Sequence, residues 1–242
     1  FQPIGGQIKG LNRIFTGQIA IHHIQRLLLH ADGEDKGGGQ LGQRIVFAEA
    51  HRLAAYPPPR PGMPRRGTEV SVVLDLMIHD IDLVLTMVKS EVERFDVVGI
   101  PVLSGTEDIV NARIKFVNGS CASLTASRVS QEPLRRFRVF QEDCYLSMDY
   151  GKHSGVVLKR NRIGLARKDI ALNEKNALAA ELEDFIAAVK ATQESGQVVQ
   201  AKVSGEAGLR ALSLATAIEK EVREYNERYG FKFRTPPVVE DC

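Results

Sequence analysis

The stretch TEVSVVLDLMIHDIDLVLTMVK (68–89) decides how the rest of the chain is read. Val70, Val73, Leu74, Met77, Ile78, Ile81 and Leu85 recur at the spacing of a helix buried over much of its girth, and Thr68 is placed to cap its N-terminus. Into this apolar run are set Asp75, His79 and Asp82, four and then three residues apart. Side chains at those spacings project from neighbouring positions on one helical face. A carboxylate and an imidazole on an otherwise apolar helix must be paired or open into a solvated cleft, because isolated buried charge is expensive. An imidazole held by a carboxylate is suited to take a proton from a hydroxyl near neutral pH, the step needed when an alcohol is oxidised to a ketone. Spacing alone leaves two other readings open. One is an Asp–His pair that only supports its helix; the other is a metal site of Asp75, His79 and Asp82, although metal ligands are more often gathered from several elements.

Upstream of this helix, RIVFAEAHRL (44–53) alternates as a strand does, with Ile45 and Phe47 on one side and Val46 and Ala48 on the other. The proline-rich YPPPRPGMPRRG (56–67) can be neither helix nor central strand. Residues 1–43 read as a separate leader, flexible or foreign to the fold, with a glycine-rich second half. That leader contains a formal G-x-G-x-x-G at Gly37, Gly39 and Gly42. A dinucleotide fingerprint must follow a strand and open a helix, so that pyrophosphate meets the helix N-terminus; here a polar segment precedes it and a strand comes after. With no other nucleotide-binding signature in view, a cofactor domain is expected to be absent.

Downstream, VERFDVVGI (92–100), DIVNARIKFV (108–117), SCASLTASRV (120–129), RRFRVFQ (135–141), CYLSMDY (144–150) and GVVLKR (155–160) read as a meander of short strands. The Asn118-Gly119 pair is its clearest hairpin turn. Two helices come next. ALAAELEDFIAAVKA (177–191) gathers Leu178, Leu182, Phe185, Ile186 and Val189 on one stripe. Ser204 caps the helix over 205–229, which turns Leu209, Leu212, Ile218, Val222 and Tyr225 inward. The fold class is therefore α+β: an open-faced, mainly antiparallel sheet with helices on one face, spanning residues 44–234 and followed by a tail, 235–242.

Composition narrows the partners. A formal net charge of +2, from 32 Lys and Arg against 30 Asp and Glu, provides no field for nucleic acid, and Arg135, Arg136 and Arg138 alternate with apolar residues as a solvated strand face would. No apolar run reaches the roughly eighteen residues of a spanning helix. The opening FQPIGGQIKG lacks the layout of a secretory signal, and Cys121, Cys144 and Cys242 are too widely spaced for a disulfide framework or a zinc site. A cytoplasmic setting is the expectation, with Cys121 and Cys144 as core fillers. Arg52 and Arg128, each at a strand end, are candidates to meet an anionic substrate such as a sugar-nucleotide diphosphate, and Asp82 is a further candidate substrate contact.

FAEAHRLAAYPPP (47–59), RGTEVSVVLDLMIHDIDLVL (66–85), VNARIKFVNGSCASLTASR (110–128) and the pair AELEDFIAAV (180–189) and VSGEAGLRALSLATAIEKEV (203–222) together resemble the C-terminal domain of the Gfo/Idh/MocA oxidoreductases, in order and in spacing. The resemblance implies a two-domain enzyme. An N-terminal Rossmann domain would bind NAD or NADP; the sheet domain would bind a sugar or sugar-nucleotide substrate and build homo-oligomers through the sheet. His79 matches the family's proton-transfer histidine and Asp75 the aspartate beside it. The family's third catalytic residue, a lysine in an E-K-P motif, has no counterpart here, and neither has the glycine-rich nucleotide loop. The wording around the helix is similar to bacterial members that oxidise UDP-N-acetylglucosamine at the sugar 3-position. The resemblance thus makes this chain the substrate-binding and catalytic part of an NAD(P)-dependent oxidoreductase acting on a secondary sugar hydroxyl, inactive by itself. The rival expectation is an inactive oligomerisation or sugar-binding module.

Overall fold

A computed structural model of the chain describes residues 44–62, 65–160, 164–172 and 177–231. The expected leader, 1–43, and tail, 235–242, lie outside the described residues. Eight strands form one sheet: β1 (Phe47–Leu53), β2 (Val92–Ile100), β3 (Ile109–Phe116), β4 (Cys121–Ser127), β5 (Leu134–Phe140), β6 (Cys144–Asp149), β7 (Ser154–Arg160) and β8 (Leu165–Ala171), in the order β2-β3-β4-β1-β5-β6-β7-β8. Every pairing is antiparallel except one. β1 lies parallel to β4, Phe47 opposite Cys121 through Leu53 opposite Ser127, and antiparallel to β5 on its other side.

That parallel pair requires a crossover, and the helix read from 68–89 supplies it. It begins later than expected: a π-helical turn, Val73–Met77, runs directly into α1 (Ile78–Val88). Thr68 is not its cap. The Thr68 hydroxyl donates to the Arg65 carbonyl within a preceding turn, at 2.8 Å, and the residue before the helix is Val72. Two more helices, α2 (Ala177–Ser195) and α3 (Gly205–Tyr229), complete the described elements.

Alternation sorts the sheet into two faces. Ala48 and Ala50 of β1, Val110, Ala112 and Ile114 of β3, and Ala122, Leu124 and Ala126 of β4 are all buried beneath the helices. The π-turn and α1 lie across this face on β1 and β4, and α3 packs against α1, the π-turn and β2. Small residues at the centre of the sheet let the helix approach; large ones, Phe137, Leu146 and Met148, fill the core farther along. The hairpin between β3 and β4 turns at Asn118-Gly119 as expected, with Gly119 at φ 84° and the Asn118 Oδ1 accepting the Ser120 N–H at 3.0 Å.

The last two helices depart from their sequence reading. Ser204 does cap α3, its Oγ accepting the Ala207 N–H at 3.3 Å, and Ile218 and Val222 are fully buried. Leu209 and Leu212, expected inward, are 64% and 38% exposed. On α2 it is the small residue Ala188 that is buried, while Leu182, Phe185, Ile186 and Val189 face outward. No described helix is long and apolar enough to cross a membrane.

Candidate active site

The ends of β1 and β4 are stitched side by side: the Ala54 N–H donates to the Ser127 carbonyl at 2.8 Å and the Ser130 N–H to the Ala54 carbonyl at 3.0 Å. From this edge the chain loops back to start the catalytic-candidate helix. Its π-turn is marked by the Ile78 N–H reaching five residues back to the Val73 carbonyl. Such bulges recur at functional sites because they re-aim side chains without ending the helix. Here the bulge contains Asp75, which is half-buried, while His79 follows in α1 at 4% exposure and Asp82 at 1%. Among the described residues no three of His, Cys, Asp and Glu are grouped so as to hold a metal ion.

A fourth polar residue on this helix escaped the sequence reading. Asp80, 6% exposed, receives a two-pronged ion pair from Arg52: Nε to Oδ2 at 2.9 Å and Nη2 to Oδ1 at 2.8 Å. The arginine expected to meet a substrate anion is thus turned onto the helix beside His79. Burial works against the Arg52 charge, but the Asp80 carboxylate outweighs it and holds the guanidinium above its ordinary range. Tyr150, which extends the β6 ladder through its N–H to the Arg135 carbonyl at 2.8 Å, lies beside this pair. Its hydroxyl is buried without a hydrogen-bond partner among the described residues, and burial followed by the Asp80 charge pushes its pKa far up. One signal for the Arg52–Asp80 pair was present in the sequence: an acid next to His79 on an apolar helix demands a cation, and Arg52 is the one cation in β1.

Arg128 is also turned inward. At 3% exposure it donates through Nη1 to the Gly67 carbonyl, and through Nη2 to the carbonyls of Val70 (2.6 Å) and Glu107 (3.0 Å). Burial lowers its pKa, partly offset by Asp108, Asp75, Tyr56 and Glu107. The other arginines of the sequence reading sit as a strand face should: Arg138 pairs with Glu49, and Arg136 with Asp149 at 3.3 Å. Cys144 is a buried core residue whose thiol is pushed up by burial, and Cys121 is half-buried.

The starts of the π-turn and of α3 hold their first N–H groups in internal hydrogen bonds. At the start of the π-turn the Val72 N–H is taken by the Glu107 carbonyl, and those of Val73, Leu74 and Asp75 by Ser71. At the start of α3 the Ala207 and Gly208 N–H groups bond to Ser204, and Glu206 adds a negative charge. Neither terminus is left open to a phosphate. Two hollows lie elsewhere, one between the end of α1 and α3, lined by Leu85, Lys89, Leu209 and Arg210 among others, and one along α2 around Phe185 and Val199; neither is lined by Asp75 or His79.

This arrangement has relatives. Residues 38–147 match the sequence profile of the GFO/IDH/MocA C-terminal domain. The UDP-N-acetylglucosamine 3-dehydrogenase of Acidithiobacillus ferrooxidans is 33% identical over 188 residues, which are 75% of this chain and 56% of that protein. A solved structure of that dehydrogenase superposes with a TM-score of 0.70 at 29% identity, over 89% of this chain and 61% of the other. The chain thus spans little more than half the length of the protein it matches. Levoglucosan dehydrogenase in complex with NADH shares the fold at 15% identity, with a TM-score of 0.66 over 88% of this chain and 63% of that one. A super-repressor mutant of Gal80p from Saccharomyces cerevisiae shares it at 12% identity, with a TM-score of 0.65 over 89% of this chain and 62% of that one. The chain belongs to the GFO/IDH/MocA family, through that family's C-terminal domain.

Proposed function

We propose that this chain is the substrate-binding and proton-transferring part of an NAD(P)-dependent oxidoreductase acting on a secondary hydroxyl of a sugar nucleotide, with UDP-N-acetylglucosamine oxidised at the 3-position as the specific candidate. The observation that carries this reading is the charged face of one apolar helix: Asp75 in its π-turn, then His79 and Asp82, with Asp80 already neutralised by Arg52. In that arrangement His79 takes the hydroxyl proton, Asp75 orients the imidazole and favours its charged form, and Asp82 contacts the substrate. The nicotinamide accepts the hydride. Arg52 and Arg128 are internal braces of this face, not ligands for the diphosphate. At 4% exposure His79 meets a substrate only when its cover parts, a motion of the kind that closes many active sites around their substrates.

The experiment is to complement the chain with a dinucleotide-binding domain of the family and to follow NAD or NADP reduction with UDP-N-acetylglucosamine, UDP-glucose and the free sugars. Reduction with the acetylated sugar nucleotide is the expected result. No reduction with any of them, by a complemented protein that binds NADH, would contradict the proposal.

The buried imidazole also favours a second reading, an assembly module without turnover. The uncovered sheet face carries a row of rings, Phe47 to Phe140 at 5.6 Å and Phe140 to Tyr145 at 4.9 Å, in a setting suited to a second copy of the chain. The two readings agree on a homo-oligomer through the sheet; only turnover separates them.

A further inference from the structure

The most heavily buried ion pair of the described chain lies behind the π-turn. Asp108, fully buried, accepts the N–H groups of Val102 (2.8 Å), Leu103 (2.6 Å) and Ser104 (2.8 Å) on Oδ2, and the Ser104 hydroxyl on Oδ1 at 2.5 Å. Arg128 Nε stands 3.4 Å from Oδ1. The carboxylate thereby wraps the 101–107 loop around itself, and the loop is tied in turn to the segment before the helix. Thr106 Oγ1 lies 3.1 Å from the Thr68 carbonyl and 3.0 Å from that of Val70, and the Glu107 carbonyl accepts the Val72 N–H at 3.0 Å. Arg128 bonds the carbonyls of Gly67, Val70 and Glu107, so one guanidinium spans both loops.

Gly67 connects this cluster to the candidate active site. It has φ 80°, and a Cβ built on it would fall 2.8 Å from Asp75 Oδ2. A side chain at 67 would be strained by the positive φ and would push the Asp75 carboxylate from its place. Moving the Gly67 peptide moves the wall behind Asp75.

We propose that Arg128 and Asp108 form a positioning latch for Asp75, in which the buried guanidinium fixes the Gly67 carbonyl and Gly67 sets where the carboxylate stands. This assigns both residues a role in the reaction without contact to substrate, and it rests on the assignment of Asp75 to proton transfer above. A phosphate ligand is a poorer role for Arg128, because its donors point at carbonyls in a site that excludes solvent. Lysine cannot reproduce the fork, since its ammonium is a single point charge.

Double-mutant cycles in the 242-residue chain test the latch by urea unfolding. Gly67→Ala and Arg128→Gln are each made beside Asp75 and beside Asp75→Ala. Strain from the positive φ of residue 67 is present in both backgrounds and cancels. The expected result is non-additivity of about tenfold in the unfolding equilibrium for each pair, as for residues in contact or in one network. Additive effects for both pairs would overturn the latch. Where Arg128→Gln does not fold, Thr106→Val removes only the hydroxyl near the Thr68 and Val70 carbonyls, and its coupling to Asp75→Ala is read in its place. In the complemented enzyme, Arg128→Lys is expected to lower kcat about tenfold while KM for the sugar nucleotide stays within about twofold. A raised KM with unchanged kcat would make Arg128 an anion ligand and overturn the proposal. Coupling in the cycles combined with full turnover by a His79→Ala variant would leave the latch standing and remove the proton-transfer role instead.

Discussion

At the residue scale, charged side chains in this protein are defined by what they face, which the sequence does not print. The pattern LDLMIHDID marks Asp75 and His79 as unusual because polar groups interrupt an apolar helix. Arg52 and Arg128 also stood out, each at a strand end, but a strand end names neither the Asp80 carboxylate nor the ring of carbonyls that take up their donors. Asp108 was passed over because an acid at the head of a strand looks ordinary; its weight comes from a loop that folds back onto it. Burial alone would raise its pKa, yet the Ser104 hydroxyl and the N–H groups of residues 102–104 more than offset this and hold it below its ordinary value. A carboxyl whose folded pKa is depressed contributes stability that is fully present above its unfolded pKa and is lost as pH falls through the folded value. Asp108→Asn is therefore expected to destabilise the chain by about 1–3 kcal/mol at neutral pH, the usual range for stranding buried donors. The deficit should shrink below pH ~4, where the unfolded carboxyl begins to protonate. Urea unfolding of both forms across pH 3 to 7 checks this; a deficit independent of pH would contradict the assigned charge.

At the element scale, what was legible followed local periodicity. Strands with alternating faces and the Asn118-Gly119 turn read correctly because both signals sit within a few residues. β8, LARKDIA, went unread: it is an edge strand with one buried side chain, Ile170, and charges elsewhere, which is how edges are protected from pairing. The parallel β1–β4 pair was also invisible, since its partners are some seventy residues apart and the intervening helix and strands set the pairing. A π-turn has no periodic signature at all; it is one residue too many in an otherwise regular apolar helix. The apolar stripe of α2 was recognised, but amphipathicity states only that a face wants cover, not which neighbour provides it. α3, by contrast, is pinned where β2 has no side chain. A Cβ on Gly99 would meet Val110 Cγ2 at 2.6 Å and Val222 Cγ1 at 3.0 Å. Gly99→Ala is expected to lower stability by about 1–3 kcal/mol through overpacking, measured by urea or thermal unfolding. No loss of stability would mean that α3 does not press on β2 as closely as the structure has it.

On the scale of the whole molecule, the sheet divides its labour between two faces. The helices, with the candidate residues Asp75 and His79, occupy one; the other presents Phe47, Phe140 and Tyr145 beside paired charges such as Glu49 with Arg138. Phe140→Glu puts an unpartnered charge in the middle of the ring row. If copies associate through this face, the variant is expected to run as a monomer in light scattering where the parent runs as an oligomer, with its thermal unfolding otherwise little changed. A parent chain that is monomeric at all concentrations would refute the sheet as an interface. The fold class, the open sheet and the helix that carries Asp75 and His79 were readable from order and spacing; the burial of His79 and the internal bracing of both arginines were not, because the arginines' partners lie on segments far apart in sequence. Turnover by the complemented oxidoreductase bears most directly on what the helix does. With sugar nucleotide and dinucleotide both saturating, His79→Ala is expected to lower kcat by about 10²–10⁴ while the chain still folds and binds substrate. A kcat equal to that of the parent protein would contradict proton transfer by this imidazole.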